Sequence, residues 1–258
     1  MTGPGGIAAW LLRRPLVVHE QNAIAGFTNR VLARFATTVL EAFPGSFGGA
    51  VRARDIGNPV RAEFFAAPAP EARFAGRGAP LRLLVVGGSQ GAARLNAIVP
   101  RALARLAPRF AMEIRHQAGE RWVDAARDAY AADGVPAQVV PFIEDIASAY
   151  AWADLVICRS GALTVSELAA VGVGSVLVPF PAAVDDHQTR NARFLVEHGA
   201  ARLMPESTLT PESLAGALAE LCADRTALLE MARRARRLAR PDATRELADT
   251  CLAAGGLA

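Results

Sequence analysis

Two hydrophobic periods alternate along most of this chain. Short apolar runs closed by turn residues occur at Leu81-Arg82-Leu83-Leu84-Val85-Val86, 112–117, 138–141, Leu155-Val156-Ile157-Cys158, 175–178 and 201–204. Runs this short, rich in Val, Ile and Leu, read as buried strands. Between them, residues 93–106, 120–132, 145–152, 164–171 and 188–198 repeat their apolar positions three and four apart, the period of a helix. Strands alternating with helices predict a parallel sheet covered on both faces, joined by right-handed crossovers: a doubly wound, Rossmann-like α/β domain. Closing helices are expected at 208–223 and 227–238; Pro241 stops the second, and a last helix covers 243–253.

The front of the chain repeats this pattern in reduced form. A short apolar segment, 7–12, carries Trp10 and ends at Arg13-Arg14-Pro15. Leu16-Val17-Val18-His19 reads as a buried strand, 23–35 as a helix and 38–42 as a second strand. The pattern then dissolves into Gly45, Gly48, Gly49, Gly57 and Pro59, and 68–80 reads as a loop, which places a domain boundary here. The expected division is residues 1–61 as the remnant of an N-terminal α/β domain, 62–239 as one complete C-terminal domain, and 240–258 as a helix returning to the first. A doubly wound domain takes on the order of 100 to 150 residues, and the front segment has only two predicted strands, so it is expected to be incomplete.

Composition narrows the function classes. With 258 residues, 52% of them hydrophobic, the chain can bury a sizeable core. Cys158, Cys222 and Cys251 make an odd set without CxxC spacing, which points to a reducing compartment and away from a disulfide frame or zinc site. His19, His116, His187 and His198 are scattered and form no HExxH, so no catalytic metal, and no other cofactor, is expected. Net charge is +3. Five arginines between Arg233 and Arg240 lack interleaved aromatics and read as a solvated helix face, not as a nucleic-acid site. No apolar stretch approaches the roughly 18 residues of a membrane span, and residues 1–12 lack the basic start of a secretory signal. Trp10-Leu11-Leu12 beside two arginines would suit a bilayer surface as well as a buried helix end.

The chemistry concentrates at turns where strands feed helices. Strand 155–158 breaks at Arg159-Ser160-Gly161 and a helix begins at once, which makes an anion seat: unpaired amides at the helix start, with Ser160, Thr164 and Ser166 hydroxyls nearby, can hold phosphate oxygens. Glu167, one turn further, could accept hydrogen bonds from vicinal sugar hydroxyls. On the blander alternative Ser160 or Thr164 only caps the helix and Glu167 only favours its dipole. Strand 81–86 runs into Gly87-Gly88-Ser89-Gln90-Gly91. This turn departs from GxGxxG, has no Walker lysine, and is followed by no acidic residue at the end of the next strand, which disfavours a dinucleotide or P-loop. Glu20-Gln21-Asn22 lie just beyond the carboxyl end of strand 16–19, where open α/β sheets bind ligands.

Taken together, His19-Glu20-Gln21-Asn22, Gly57-Asn58-Pro59-Val60-Arg61, Gly87-Gly88-Ser89-Gln90-Gly91, Cys158-Arg159-Ser160-Gly161-Ala162-Leu163-Thr164-Val165-Ser166-Glu167, and Asp186-His187-Gln188 with Asn191 resemble the MurG family of glycosyltransferases over essentially the whole chain. The resemblance implies the GT-B fold, two doubly wound domains facing each other across a cleft. It implies transfer of N-acetylglucosamine from UDP-N-acetylglucosamine to lipid I, giving lipid II for peptidoglycan, by a peripheral protein on the cytoplasmic side of the inner membrane. Cell-wall synthesis and division proteins are implied as further partners. Position by position, it places Asn22 near the transferred sugar and Arg61 and Ser89 near the nucleotide. It also puts Ile143 at uracil, Ala162, Leu163, Thr164, Val165 and Ser166 along ribose and diphosphate, Glu167 on the ribose hydroxyls, and Gln188 on the donor sugar.

The chain departs from the family at the front. Family members start with a strand and a GGTGGH-like loop whose histidine lies in the cleft; nothing here matches it, and about the first hundred family residues are expected to be absent. Inverting transfer needs a base near the acceptor hydroxyl and charge stabilisation for departing UDP. The second is encoded here; for the first, His19 is a weak candidate beside Asn22. The expectation is therefore a nucleotide-sugar half-site with impaired transfer. Two alternatives stay open: a non-catalytic UDP-sugar-binding fragment, or an enzyme like the UDP-N-acetylglucosamine 2-epimerases, which would need further acid/base carboxylates in the cleft.

Overall fold

The computed structural model describes residues 2–49, 51–88, 92–181 and 186–256. Helix α1 (Thr2–Leu11) leads into strand β1 (Val17–Glu20), helix α2 (Phe27–Leu32), β2 (Thr38–Glu41) and β3 (Arg54–Asp55). Short helices α3 (Ala62–Phe65) and α4 (Pro70–Phe74) connect to β4 (Leu81–Val86), α5 (Ala93–Leu106), β5 (Met112–Gln117), α6 (Val123–Ala132), β6 (Gln138–Val140) and α7 (Ile146–Trp152). Then come β7 (Leu155–Cys158), α8 (Ala162–Val171), β8 (Gly174–Leu177), α9 (His187–Val196) and β9 (Ala201–Leu203). Helices α10 (Pro211–Cys222), α11 (Arg225–Arg237) and α12 (Ala243–Ala254) close the chain.

All strand pairings are parallel. The front sheet has the order β1-β2-β3 and the rear sheet β6-β5-β4-β7-β8-β9. Counted from β4, the rear order is 3-2-1-4-5-6, so the winding reverses between β4 and β7. Each central strand faces two cores, and for that reason its hydrophobic run does not alternate with polar residues. Leu81, Leu83 and Val85 of β4 pack with Leu155 and Ile157 of β7 against Leu95, Val99 and Leu103 of α5 and Leu214 and Leu218 of α10. Leu84, Val86, Val156 and Cys158 point the other way, into Tyr150 of α7 and Val165, Leu168 and Ala169 of α8. Each fully buried Leu or Val contributes roughly 1.5–3 kcal/mol.

Two buried polar groups pin the rear lobe. Asp154 accepts from the Arg82 amide at 3.0 Å, Arg77 at 3.2 Å and Arg225 at 3.1 Å, tying the start of β7 to β4 and α11. On the α5 side, His116 links Asn96 and Tyr130 at 3.0 Å each, and Asn96 donates to the Ala118 carbonyl at 3.1 Å. Burial pushes the His116 imidazole down to about 3, so it stays neutral and structural.

The second core continues past the expected boundary at residue 61, for Ala42, Phe43, Val60 and Phe64 join it. Helix α12 lies against β1, Arg54 donates to Thr250 at 2.6 Å, and Arg240 pairs with Asp55. Gly57 turns at φ +84° where a Cβ would stand 2.5 Å from the Cβ of Arg240, so only glycine fits this close approach.

Three local expectations are corrected. The front sheet has a third strand, β3, within the stretch read as patternless; at two residues it has no period to detect, and its pairing with β2 defines it. The helix expected at 23–35 is only α2. Its first residues form a loop because their amides bond elsewhere: Ala23 to Asn191, Ala25 to the Ser46 carbonyl and Gly26 to Glu20. The 68–80 loop contains α4, which opens on Pro70, a residue suited to a first helical turn.

Candidate functional site

The reversal between β4 and β7 places two strand exits side by side, with Val86 and Cys158 in register. Beyond Val86 the chain continues through Gly87 and Gly88, the latter at φ +79°, toward α5 on one face. Beyond Cys158 it passes through Arg159-Ser160-Gly161 into α8 on the other. Adjacent chains that leave for opposite faces open a crevice at the carboxyl edge of the sheet. Ser89, expected on the nucleotide, lies outside the described residues.

The start of α8 is built for an anion. Gly161 is its N-cap in extended conformation and makes no side-chain cap, so the amides of Ala162, Leu163 and Thr164 have no partner within the helix. Leu163 is exposed and Thr164 half-buried at this mouth. The hydroxyls expected to help are partly engaged elsewhere. Ser160 is fully buried and donates to the Gln188 carbonyl at 2.9 Å; Ser166 donates to the Ala162 carbonyl at 3.0 Å and accepts from Asn58 at 3.1 Å. Arg159 donates to the carbonyls of Val178 and Pro179 and pairs with Glu206 at 2.5 Å, so its charge already has a partner. The free main-chain amides are what this turn offers to a diphosphate.

Glu167 sits half-buried one turn into α8, and its carboxyl is pushed up to about 7. Burial is the main cause; Arg61 opposes it and Glu63 reinforces it. Arg61 extends from the exit of the front lobe, pairs with Glu63 at 2.9 Å and lies over the Phe64 ring at 5.2 Å. Its charge also reaches Asp145, the N-cap of α7, in the loop that carries Ile143. Ile143 follows the carboxyl end of β6 and packs on the second core. Arg61, Glu167 and the Ile143 loop thus occupy one rim of the rear sheet.

The front lobe adds a loop to that rim. Glu20 is buried at the end of β1, and its carboxylate accepts from the Asn22 amide at 2.8 Å, the Gly26 amide at 3.1 Å and the Asn29 side chain at 2.8 Å. Four residues of β1 therefore end in a clamped loop that carries Asn22 toward α9. Asn58, also buried, donates to the Gln21 carbonyl at 3.0 Å as well as to Ser166. His19 faces the Gly57 carbonyl through Nε2 at 3.0 Å, which requires a ring N–H at that atom; burial lowers its pKa against the opposing pull of Gly57 and Glu20.

Residues 82–247 match the model of the glycosyltransferase family 28 C-terminal domain, and residues 1–41 the family 28 N-terminal domain. The crystal structure of Acinetobacter baumannii MurG superposes with a TM-score of 0.88 at 45% identity, over 96% of this chain and 70% of that one. The UDP-N-acetylglucosamine–N-acetylmuramyl-(pentapeptide) pyrophosphoryl-undecaprenol N-acetylglucosamine transferase of Marinobacter nauticus is 59% identical over 98% of this chain and 70% of its own length. The chain belongs to the MurG family. A MurG-family chain has the GT-B fold, and the two parallel sheets with their flanking helices fit it. A Listeria monocytogenes protein described as a UDP-N-acetylglucosamine 2-epimerase superposes with a TM-score of 0.67 at 13% identity, a likeness of fold alone.

Within this MurG-family fold, hydrogen bonds join Asn22, through Asn191, and Gln188 to the Ser160 turn, and Ser166 to Asn58, while Glu167 follows in α8 within reach of the Arg61 charge. Gln188 opens α9; its Oε1 accepts from the Phe180 amide at 2.9 Å. Two residues quoted only as motif members turn out to hold the lobes together: Asn58, on α8, and Asn191, on the loop of Asn22. Asn58 carried a signal, a polar side chain between Ile56-Gly57 and Pro59-Val60; Asn191 carried none, lying as it does between Arg190 and Ala192-Arg193, although it is fully buried.

Proposed function

We propose that this chain binds UDP-N-acetylglucosamine in the crevice between β4 and β7 and transfers the sugar to lipid I, giving lipid II. The uncapped N-terminus of α8 beside the Gly87-Gly88 exit carries this reading. Its amides would hold the diphosphate, and as the sugar–phosphate bond breaks they would stabilise the charge that develops on departing UDP. The acceptor hydroxyl would attack the anomeric carbon from the front-lobe side, where Asn22 lies, and with His19 Nε2 engaged by the Gly57 carbonyl its proton would pass to solvent, so transfer by this chain would be slow. Glu167 would accept the ribose hydroxyls, Ile143 would border the uracil, and Arg61 and Ser89 would flank the nucleotide. Residues 1–61 would belong to the acceptor lobe, 62–239 to the donor lobe, with α12 returning across the front sheet.

The same reading places the chain at the cytoplasmic surface of the inner membrane. Among the described residues no helix is long and apolar enough to cross a membrane. Helices α1 and α2 pack together, and Trp10 meets Phe35 with ring centroids 4.9 Å apart. Around them Ile7, Leu11, Leu12 (71% exposed) and Phe27 (73% exposed) face outward with Arg13, Arg14, Arg30 and Arg34. Apolar side chains ringed by arginine suit an anionic lipid surface.

The test pairs calorimetry with a transfer assay. Titration of UDP-N-acetylglucosamine into the chain should give heat, and labelled N-acetylglucosamine should appear on a lipid I acceptor in vesicles. No heat, or an epimerised sugar in place of transfer, would overturn the assignment.

A further inference from the structure

Side-chain amides normally leave open which end is oxygen and which is nitrogen, but here the main chain decides. The Ala23 amide can only donate, and it points at one end of the Asn191 side chain at 2.8 Å, so that end is Oδ1. The Ser160 carbonyl can only accept, and it faces the other end at 3.3 Å, so that end is Nδ2. Nδ2 also meets the Asn22 side chain at 3.2 Å, and the Asn22 atom that faces it must therefore be the oxygen. The Asn22 nitrogen is turned away toward Glu20 Oε1, which it reaches at a long 3.3 Å with one of its two hydrogens. Gln188 is set in the same way, since the Phe180 amide fixes its Oε1 at 2.9 Å.

We infer that Asn191 is a positioning residue for the transferred sugar: it holds the Asn22 oxygen and thereby sets the Asn22 amide so that its N–H meets a sugar hydroxyl as hydrogen-bond donor. This rests on the donor-site reading above and adds its polarity. Asn191 is fully buried, joins α9 to the front-lobe loop and to the Ser160 turn, and reaches the sugar only through Asn22. A sugar whose hydroxyl at that position is replaced by hydrogen would leave the Asn22 N–H unmet, whereas a fluorine, a weak acceptor, would retain part of the bond.

The experiment is a double-variant cycle read by calorimetry with UDP and UDP-N-acetylglucosamine, using the full chain. Asn191→Ser should weaken UDP-N-acetylglucosamine about five- to tenfold while UDP changes less than about twofold, in line with one lost neutral hydrogen bond. Asn22→Ala should do the same, and the double variant should lose little more than either alone. Should Asn191→Ser not fold, Asn22→Asp asks the question from the other side: it keeps an oxygen for Asn191, removes the N–H, and should lose the same discrimination. Parallel weakening of both ligands, additive losses, or full discrimination by Asn22→Asp would each overturn the inference. No binding of either ligand by the unaltered chain is a different failure, one that removes the donor site itself and the inference with it.

Discussion

Glu167 gives a pH dependence that most carboxylates would not. Burial lifts its carboxyl to about 7 against the pull of Arg61, whereas an exposed glutamate titrates near 4.3. A ribose hydroxyl donates to the ionised carboxylate, so donor binding selects the deprotonated form. With a pKa of about 7, the ionised fraction is roughly nine tenths at pH 8 and one tenth at pH 6, and the apparent dissociation constant scales inversely with that fraction. UDP-N-acetylglucosamine should therefore bind about tenfold more weakly at pH 6 than at pH 8, and at pH 7 its binding should release about half a proton. Calorimetry in buffers of different ionisation enthalpy reads both quantities, and the nucleotide sugar is preferable to UDP because its diphosphate does not titrate in this range. Glu167→Gln should flatten the profile and weaken binding at pH 8. The folded chain without ligand should behave oppositely. Because the folded pKa lies above the unfolded one, the folded state holds more protons between about 4.5 and 7, and Glu167 erodes stability as pH rises through that window. Replacement by glutamine should thus raise the unfolding free energy at pH 8 by as much as about 2–3 kcal/mol, reduced by whatever solvent screens the site. A flat affinity profile in the unaltered protein, or a glutamine variant as pH-dependent as its parent, would refute the reasoning.

Two further outcomes lie away from the donor site. Asp154→Asn removes the charge that meets Arg77 and Arg225 at the amino end of β7, and should cost about 3 kcal/mol or more in urea unfolding while donor affinity in the folded protein is unchanged. Leu12→Glu places a carboxylate on the exposed apolar face beside Arg13 and Arg14 and should sharply reduce flotation with anionic vesicles, with no effect on melting temperature; equal flotation would disprove membrane contact by this face.

Much of this protein was readable from local pattern. The six strands of the rear lobe, their helices and the two strand–turn–helix exits depend on hydrophobic period and turn residues, which act over a few positions. Motif spacing carried the family assignment and the placement of Glu167 one turn into α8 and Gln188 at the start of α9. Interactions between distant segments required the fold. The strand β3, held by β2 alone, has no pattern of its own. The loop at 23–26 reads as helix until Glu20 and Asn191 claim its amides. The raised carboxyl of Glu167 depends on what surrounds it, and the orientation of Asn22 on a partner 169 residues away. Periodicity and turn chemistry are properties of neighbours along the chain; burial, proton affinity and the direction of a hydrogen bond are set by neighbours in space, which only the packed lobes bring together.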